Sequence, residues 1–111
     1  METLRKPVTF MYFWLNYCDK NHNEKIPVAV KNIDHLFNLA SEMISADNLH
    51  LFLLFDGTRI DNNEYLSSLE NDRELIVCTE EQIQKLMVYF ELKRYLSFKN
   101  ISYPLDIDYF M

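Results

Sequence analysis

Apolar and polar positions fall into blocks whose periods differ along the chain. Val8 to Leu15 (Val-Thr-Phe-Met-Tyr-Phe-Trp-Leu) is rich in β-formers and apolar on both alternating faces apart from Thr9, which predicts a strand. The polar cluster Asn16 to Glu24 predicts a hairpin connection, and Lys25 to Val30 a second strand. Pro27 has no amide hydrogen to give to a ladder, so that strand is expected at a sheet edge. Ile33, Leu36, Phe37, Ala40, Met43 and Ile44 then recur at spacings of three and four, the stripe of an amphipathic helix. Asn32 is placed to cap it, Asp34 suits the positive end of its dipole, and Asp47-Asn48 is expected to end it.

Leu49 to Phe55 reads as a buried strand, with Phe52 and Leu54 on the face opposite Leu51 and Leu53. Asp56-Gly57 follows as a turn, and Gly57, the only glycine in the chain, supplies the positive φ such turns demand. A short strand over 58–60, a helical turn near 61–69, a polar turn through Glu70-Asn71-Asp72-Arg73 and a strand over 75–78 complete the order β-β-α-β-β-(short helix)-β. Two hairpins flanking one helix, with a late strand returning to the sheet, predict an α+β fold, the β-grasp or ubiquitin-like roll. Its first and last strands are expected to pair in parallel at the centre.

Thr79-Glu80-Glu81-Gln82 is a capping-box pattern opening a further helix to about Asn100. Ile83, Leu86, Met87 and Phe90 form one stripe on it, and Val88, Leu92, Tyr95 and Leu96 a second. Two stripes need two surfaces to bury against. The expectation is that this helix covers the second face of the sheet, or packs on another subunit. The domain organisation read from the chain is therefore a roll over 6–79, a helical extension over 80–100 and a tail over 101–111. The tail, with alternating apolar residues and two acids, suits an added strand, a linear motif or disorder.

Charge sharpens the picture. The formal net charge of −6 disfavours direct nucleic-acid binding. Residues 1–33 carry five Lys/Arg against three acids, residues 34–81 eleven acids against two bases, and residues 82–100 four bases against one acid. Such a distribution reads either as an uneven solvated surface or as a dipolar domain whose basic side meets the acidic side of another copy. No apolar run approaches the roughly 20 residues of a membrane span, and nothing marks a secretory signal. Cys18 and Cys78 could form one disulfide; two reduced thiols in a cytoplasmic or nuclear protein is the reading adopted.

Catalytic chemistry finds little footing. His22, His35 and His50 lack metal-ligand spacing, one glycine cannot build a phosphate loop, and no nucleophile elbow is present. No cofactor, metal or enzyme activity is expected. Asp56, Asp61 and Glu64 fail the EF-hand pattern.

The segment Leu53-Leu54-Phe55-Asp56-Gly57-Thr58-Arg59-Ile60-Asp61-Asn62-Asn63-Glu64-Tyr65, continuing through Leu69 and Asp72 to the apolar Leu75-Ile76-Val77, resembles the CIDE-N (CAD) domain of caspase-activated DNase, its inhibitor and the cell-death-inducing DFF-like effectors. Asp56, Gly57, Thr58, Asp61, Glu64 and Tyr65 fit that family's pattern in register, and Lys25-Ile26-Pro27-Val28-Ala29-Val30-Lys31 looks like its basic second strand. The resemblance implies association with another CIDE-N-like domain or with itself through opposite charged faces, in control of apoptotic DNA fragmentation or a related assembly. Carried over by position, the acidic face is Asp56, Asp61 and Glu64 with Asp72, and the basic face Lys25 and Lys31 with Lys6. Leu54 and Phe55 stand where the family places acids, Lys25-Ile26-Pro27 replaces its basic pair and glycine, and the helix from Thr79 is not a standard part. The alternative is a generic ubiquitin-like adaptor binding a partner through that apolar helix.

Overall fold

The computed structural model describes residues 9–17 and 25–99. Expectations for Lys6, Cys18, His22, the 18–24 connection, the helix end at Asn100 and the 101–111 tail lie outside the described residues. The elements are β1 (Met11–Tyr17), β2 (Ile26–Val30), α1 (Ile33–Ile44), β3 (His50–Leu53), α2 (Asn63–Ser68), β4 (Arg73–Cys78), a single 3₁₀ turn over Glu80–Gln82, and α3 (Ile83–Phe98).

The strands form one sheet in the order β2-β1-β4-β3. β1 and β4 run parallel at its centre, Leu15 opposite Leu75, and β2 and β3 close it antiparallel at either edge. This is the roll expected from the element order, with Pro27 on the edge strand. β4 is buried on both faces: Leu75 and Val77 point to the first layer, Ile76 and Cys78 to the second.

α1 covers the first face. Leu36 and Ala40 pack with Phe13, Leu15, Val28, Val30, Leu51, Leu53 and Val77, joined by Ile60 and Leu66 from the segment beyond β3. Asn32 caps α1 as expected, its side chain accepting the His35 N–H at 2.8 Å. The helix stops at Ser45, which takes left-handed backbone (φ 58), two residues ahead of the Asp47-Asn48 break.

Three local expectations change. β1 begins at Met11 and runs on to Tyr17, because Asn16 and Tyr17 pair with Ile76 and Val77, and the Asn16 amide donates to the Leu75 carbonyl at 3.0 Å. The short strand over 58–60 reduces to one bridge, Phe52 to Arg59. The loop closes there by Gly57 N–H to Leu53 O and Leu53 N–H to Thr58 O, each 2.8 Å, which makes a four-residue turn rather than a two-residue one. β4 starts at Arg73, earlier than its apolar run, because Asp72 adopts φ 68 and donates its N–H to Tyr12 O at 2.8 Å.

The last helix lies on the second sheet face. Gln82 reaches back to accept the Thr79 N–H at 2.9 Å, the return half of the expected box. Leu86, Tyr89 and Phe90 bury against Phe52, Ile76 and Cys78, with Leu54, Ile83 and Met87 at the margin. α3 thus covers the β3–β4 half within the same chain. On the β1 side of that face Tyr12 stays half-exposed.

Candidate functional site

β2 and β3 are the outer strands, so the residues flanking them sit at opposite edges of the sheet. Three further strand spacings of about 4.8 Å separate those edges. Lys25 and Lys31 bracket β2. Asp56 follows β3 directly, and Asp61 and Glu64 stand beyond the bridge at Arg59, around the start of α2.

Each charged residue has a local reason for its position. Asp56 accepts the Thr58 N–H at 2.9 Å, so its carboxylate shapes the turn while staying exposed. Asp61 accepts from the Asn62 side-chain amide at 2.9 Å, and Asn62 in turn caps α2 through the Tyr65 N–H at 2.8 Å. Glu64 occupies the first turn of α2, where the helix dipole favours a carboxylate. Asn63 accepts the Ile33 N–H at 2.8 Å, which moors this acidic segment to the first turn of α1, two residues after Lys31. Asp72 is exposed in the turn before β4 and shares a cleft of about 310 Å³ with Phe55, Glu74 and Lys93.

The structure therefore divides the expected acidic face. Asp61 and Glu64 stay together at α2, whereas Asp56 and Asp72 flank the place where α3 crosses the turn. On the basic side, the Lys25 ammonium lies 3.4 Å from Glu74 Oε1 and 5.2 Å from the centre of the Trp14 ring. Lys31 lies over the Phe10 ring at 5.6 Å. Both lysines are exposed, each with its ammonium over an aromatic ring. Lys6 lies outside the described residues.

Lys93 is the residue that charge counting missed. It is half-buried on α3, donates from Nζ to the Leu54 carbonyl at 3.1 Å, and has the rings of Phe55 and Tyr89 each at 5.9 Å. Burial pulls its ammonium below the usual 10.5, and the nearby carboxylates of Asp56 and Glu74 act the other way. Its signal was in the helical spacing: 83, 86, 90 and 93 share one side, so a lysine at the end of an apolar line had to meet a carbonyl or carboxylate. Phe55, 71% exposed beside Asp56, was read as part of a buried strand; with β3 ending at Leu53, it stands clear of the sheet.

The histidines have structural surroundings. His35 Nδ1 accepts the Lys31 N–H at 3.1 Å, and His50 lies between Glu80, 2.6 Å from its Nε2, and Arg59. Among the described residues no group of three His, Cys, Asp or Glu side chains could hold a metal, and no helix is long and apolar enough to cross a membrane.

Comparison with solved structures places the fold. The CIDE domain of Drep4 superposes with a TM-score of 0.55 at 23% identity, over 62% of this chain and 79% of that one. The CIDE-N domain of FSP27 gives 0.56 at 17%, over 63% and 90%. The heterodimeric complex between the CAD domains of CAD and ICAD gives 0.55 at 20%, over 69% and 87%. Comparison with curated protein sequences gives no match. The CIDE-N domain family matches residues 15–85, from the middle of β1 into the first turn of α3. The chain belongs to the CIDE-N domain family.

Proposed function

We propose that this chain is a non-enzymatic protein–protein interaction module, associating with another CIDE-N-like domain or with a second copy of itself through opposite charged edges. In this reading the roll over 6–79 carries both faces and the segment over 80–100 is an added helix. Asp56, Asp61, Glu64 and Asp72 form the acidic face; Lys6, Lys25 and Lys31 form the basic one. The setting is control of apoptotic DNA fragmentation or a related assembly, in the cytoplasm or nucleus, without direct nucleic-acid contact.

The observation that carries this reading is the sheet order. It puts Lys25 and Lys31 around one outer strand and Asp56 after the other, while Asn63 ties the segment of Asp61 and Glu64 to the start of α1. Lys25 and Asp56, flanking opposite outer strands, cannot pair with one another within a chain, which leaves each open to a second molecule, and a head-to-tail contact of this kind propagates unless it closes. Membership of the CIDE-N family and the existence of a CAD–ICAD complex between CAD domains support the choice of partner.

An exposed ion pair contributes only about 0–1 kcal/mol, so a cluster on each side is required. The test is sedimentation velocity of the chain in roughly 0.1 M and 1 M salt, over which the screening length falls from about 10 to about 3 Å. Association is expected at low salt and lost at high salt. Asp61→Lys/Glu64→Lys and Lys25→Glu/Lys31→Glu should each be monomeric alone and should associate when mixed. Assembly indifferent to salt and to both reversals sinks the reading.

One observation favours a second reading, a ubiquitin-like adaptor that uses α3. Val88, Tyr95 and Phe98 are 54%, 55% and 83% exposed on that helix. Binding through them would survive the charge reversals and fail with Val88→Asp or Tyr95→Asp.

A further inference from the structure

We propose that α3 neutralises part of the acidic face in cis, through Lys93, so that a second copy of this chain is met chiefly by Asp61 and Glu64 and is held more weakly than the carboxylates alone would allow. This inference rests on the charged-edge reading above and concerns the regulation of that same site.

The helix is fixed in the position this requires. Phe90 packs over the backbone of Gly57, where a Cβ would come within 2.7 Å of the ring. One turn later along α3, Lys93 drops onto the same loop and its Nζ holds the Leu54 carbonyl at 3.1 Å. Asp56 and Lys93 line a cleft of about 290 Å³ with Phe55 and Arg94. Lys93 also lines the second cleft, with Asp72, Arg73 and Glu74. A half-buried ammonium acts on the half-buried Glu74 and the exposed Asp56 carboxylates with less water between them than two ions in solution would have. Asp61 and Glu64 line neither cleft.

The position of this cation is also specified. A swinging surface lysine would be pulled toward whichever anion approaches. Lys93 has its ammonium over the Phe55 and Tyr89 rings and one donor committed to a backbone carbonyl, so its charge is delivered to one place. A basic surface approaching Asp56 meets Lys93 and Arg94 there, which repel it. Its approach to Asp61 and Glu64 carries no such penalty.

The experiment measures self-association of the full chain by sedimentation velocity at roughly 0.1 M and 1 M salt. Lys93→Gln keeps a long donor for the Leu54 carbonyl and removes the charge. It should tighten association at low salt roughly three- to tenfold, with the gain lost at high salt. Lys93→Arg should behave as the wild type. Asp56→Asn combined with Lys93→Gln should cancel that gain. If the wild type associates in a salt-sensitive way and Lys93→Gln leaves its affinity unchanged or lowers it, this inference fails while the charged-edge reading stands. The inference fails equally if the gain survives when Asp56→Asn is combined with Lys93→Gln. If neither the wild type nor Lys93→Gln associates, this inference fails and the charged-edge reading is left with a different CIDE-N-like domain as its partner.

Discussion

Gly57 lies directly beneath the Phe90 ring. Its Cα has φ 78, and a Cβ built on it would stand 2.7, 2.9 and 3.0 Å from three ring carbons. The glycine therefore serves twice: it supplies left-handed backbone for the loop after β3, and it leaves room for α3 to close on that loop. Gly57→Ala should destabilise the fold by about 2–4 kcal/mol, combining backbone strain with overpacking. In a Phe90→Ala background the same change should cost less, because only the strain remains. Urea unfolding of the four proteins of this cycle measures the difference, and equal costs in both backgrounds would mean the ring gives way freely.

A chain ended at Thr79 loses the cover over Phe52, Ile76 and Cys78, which are at most 3% exposed in the presence of α3. Two or three large side chains returned to water correspond to about 3–6 kcal/mol. The shortened chain should melt at lower temperature and bind a hydrophobic dye. Unchanged melting would show that α3 adds no stability to the roll.

Asn63 is a small polar residue with a structural function out of proportion to its size, since it alone accepts the Ile33 N–H across 30 residues. Asn63→Ala leaves that amide in a half-buried place with no acceptor, at a cost of about 1–3 kcal/mol. Asn62→Ala, which removes the α2 cap, should cost about 1 kcal/mol. Asn63→Asp restores an acceptor and should recover most of the loss in the same unfolding assay.

Tyr17, at the end of β1, has its phenol pushed above the usual 10.0 by burial. The folded chain thus holds the phenolic proton more tightly than the unfolded chain. Its contribution is fully present below pH 10.0, and is lost as pH rises through the higher folded value. Stability measured across pH 9 to about 12 should fall in this window, and Tyr17→Phe should remove part of the fall.

Much of the fold was legible because its signals were local or periodic. The 33–44 stripe with Asn32 before it, the proline on an edge strand and the split of Leu51 and Leu53 from Phe52 each follow from spacing alone. The first apolar stripe of the last helix found the second sheet face in cis, whereas Val88 and Tyr95 of the second stripe stay exposed. What escaped was set by partners distant in sequence. Tyr17 joins β1 because Val77 lies beside it, and Arg73 joins β4 because Asp72 turns the backbone by bonding Tyr12. The acidic residues were easily found, but summing charge by segment separated Lys93 from Asp56. Only the crossing of α3 over the turn brings the two together.

The parallel pairing of β1 with β4 joins positions such as Leu15 and Leu75, sixty residues apart, at the middle of the sheet. Such a seam closes late, since the long loop between its strands must be ordered before the contact repays it. During synthesis β1 and β2 can pair early, but β3 has no strand to pair with until β4, ending at Cys78, has left the ribosome, and α3 is made later still. Until the parallel seam closes, the nascent chain exposes unpaired edges and apolar faces that the finished roll hides, so the order of synthesis sets the interval in which half-made chains can join one another.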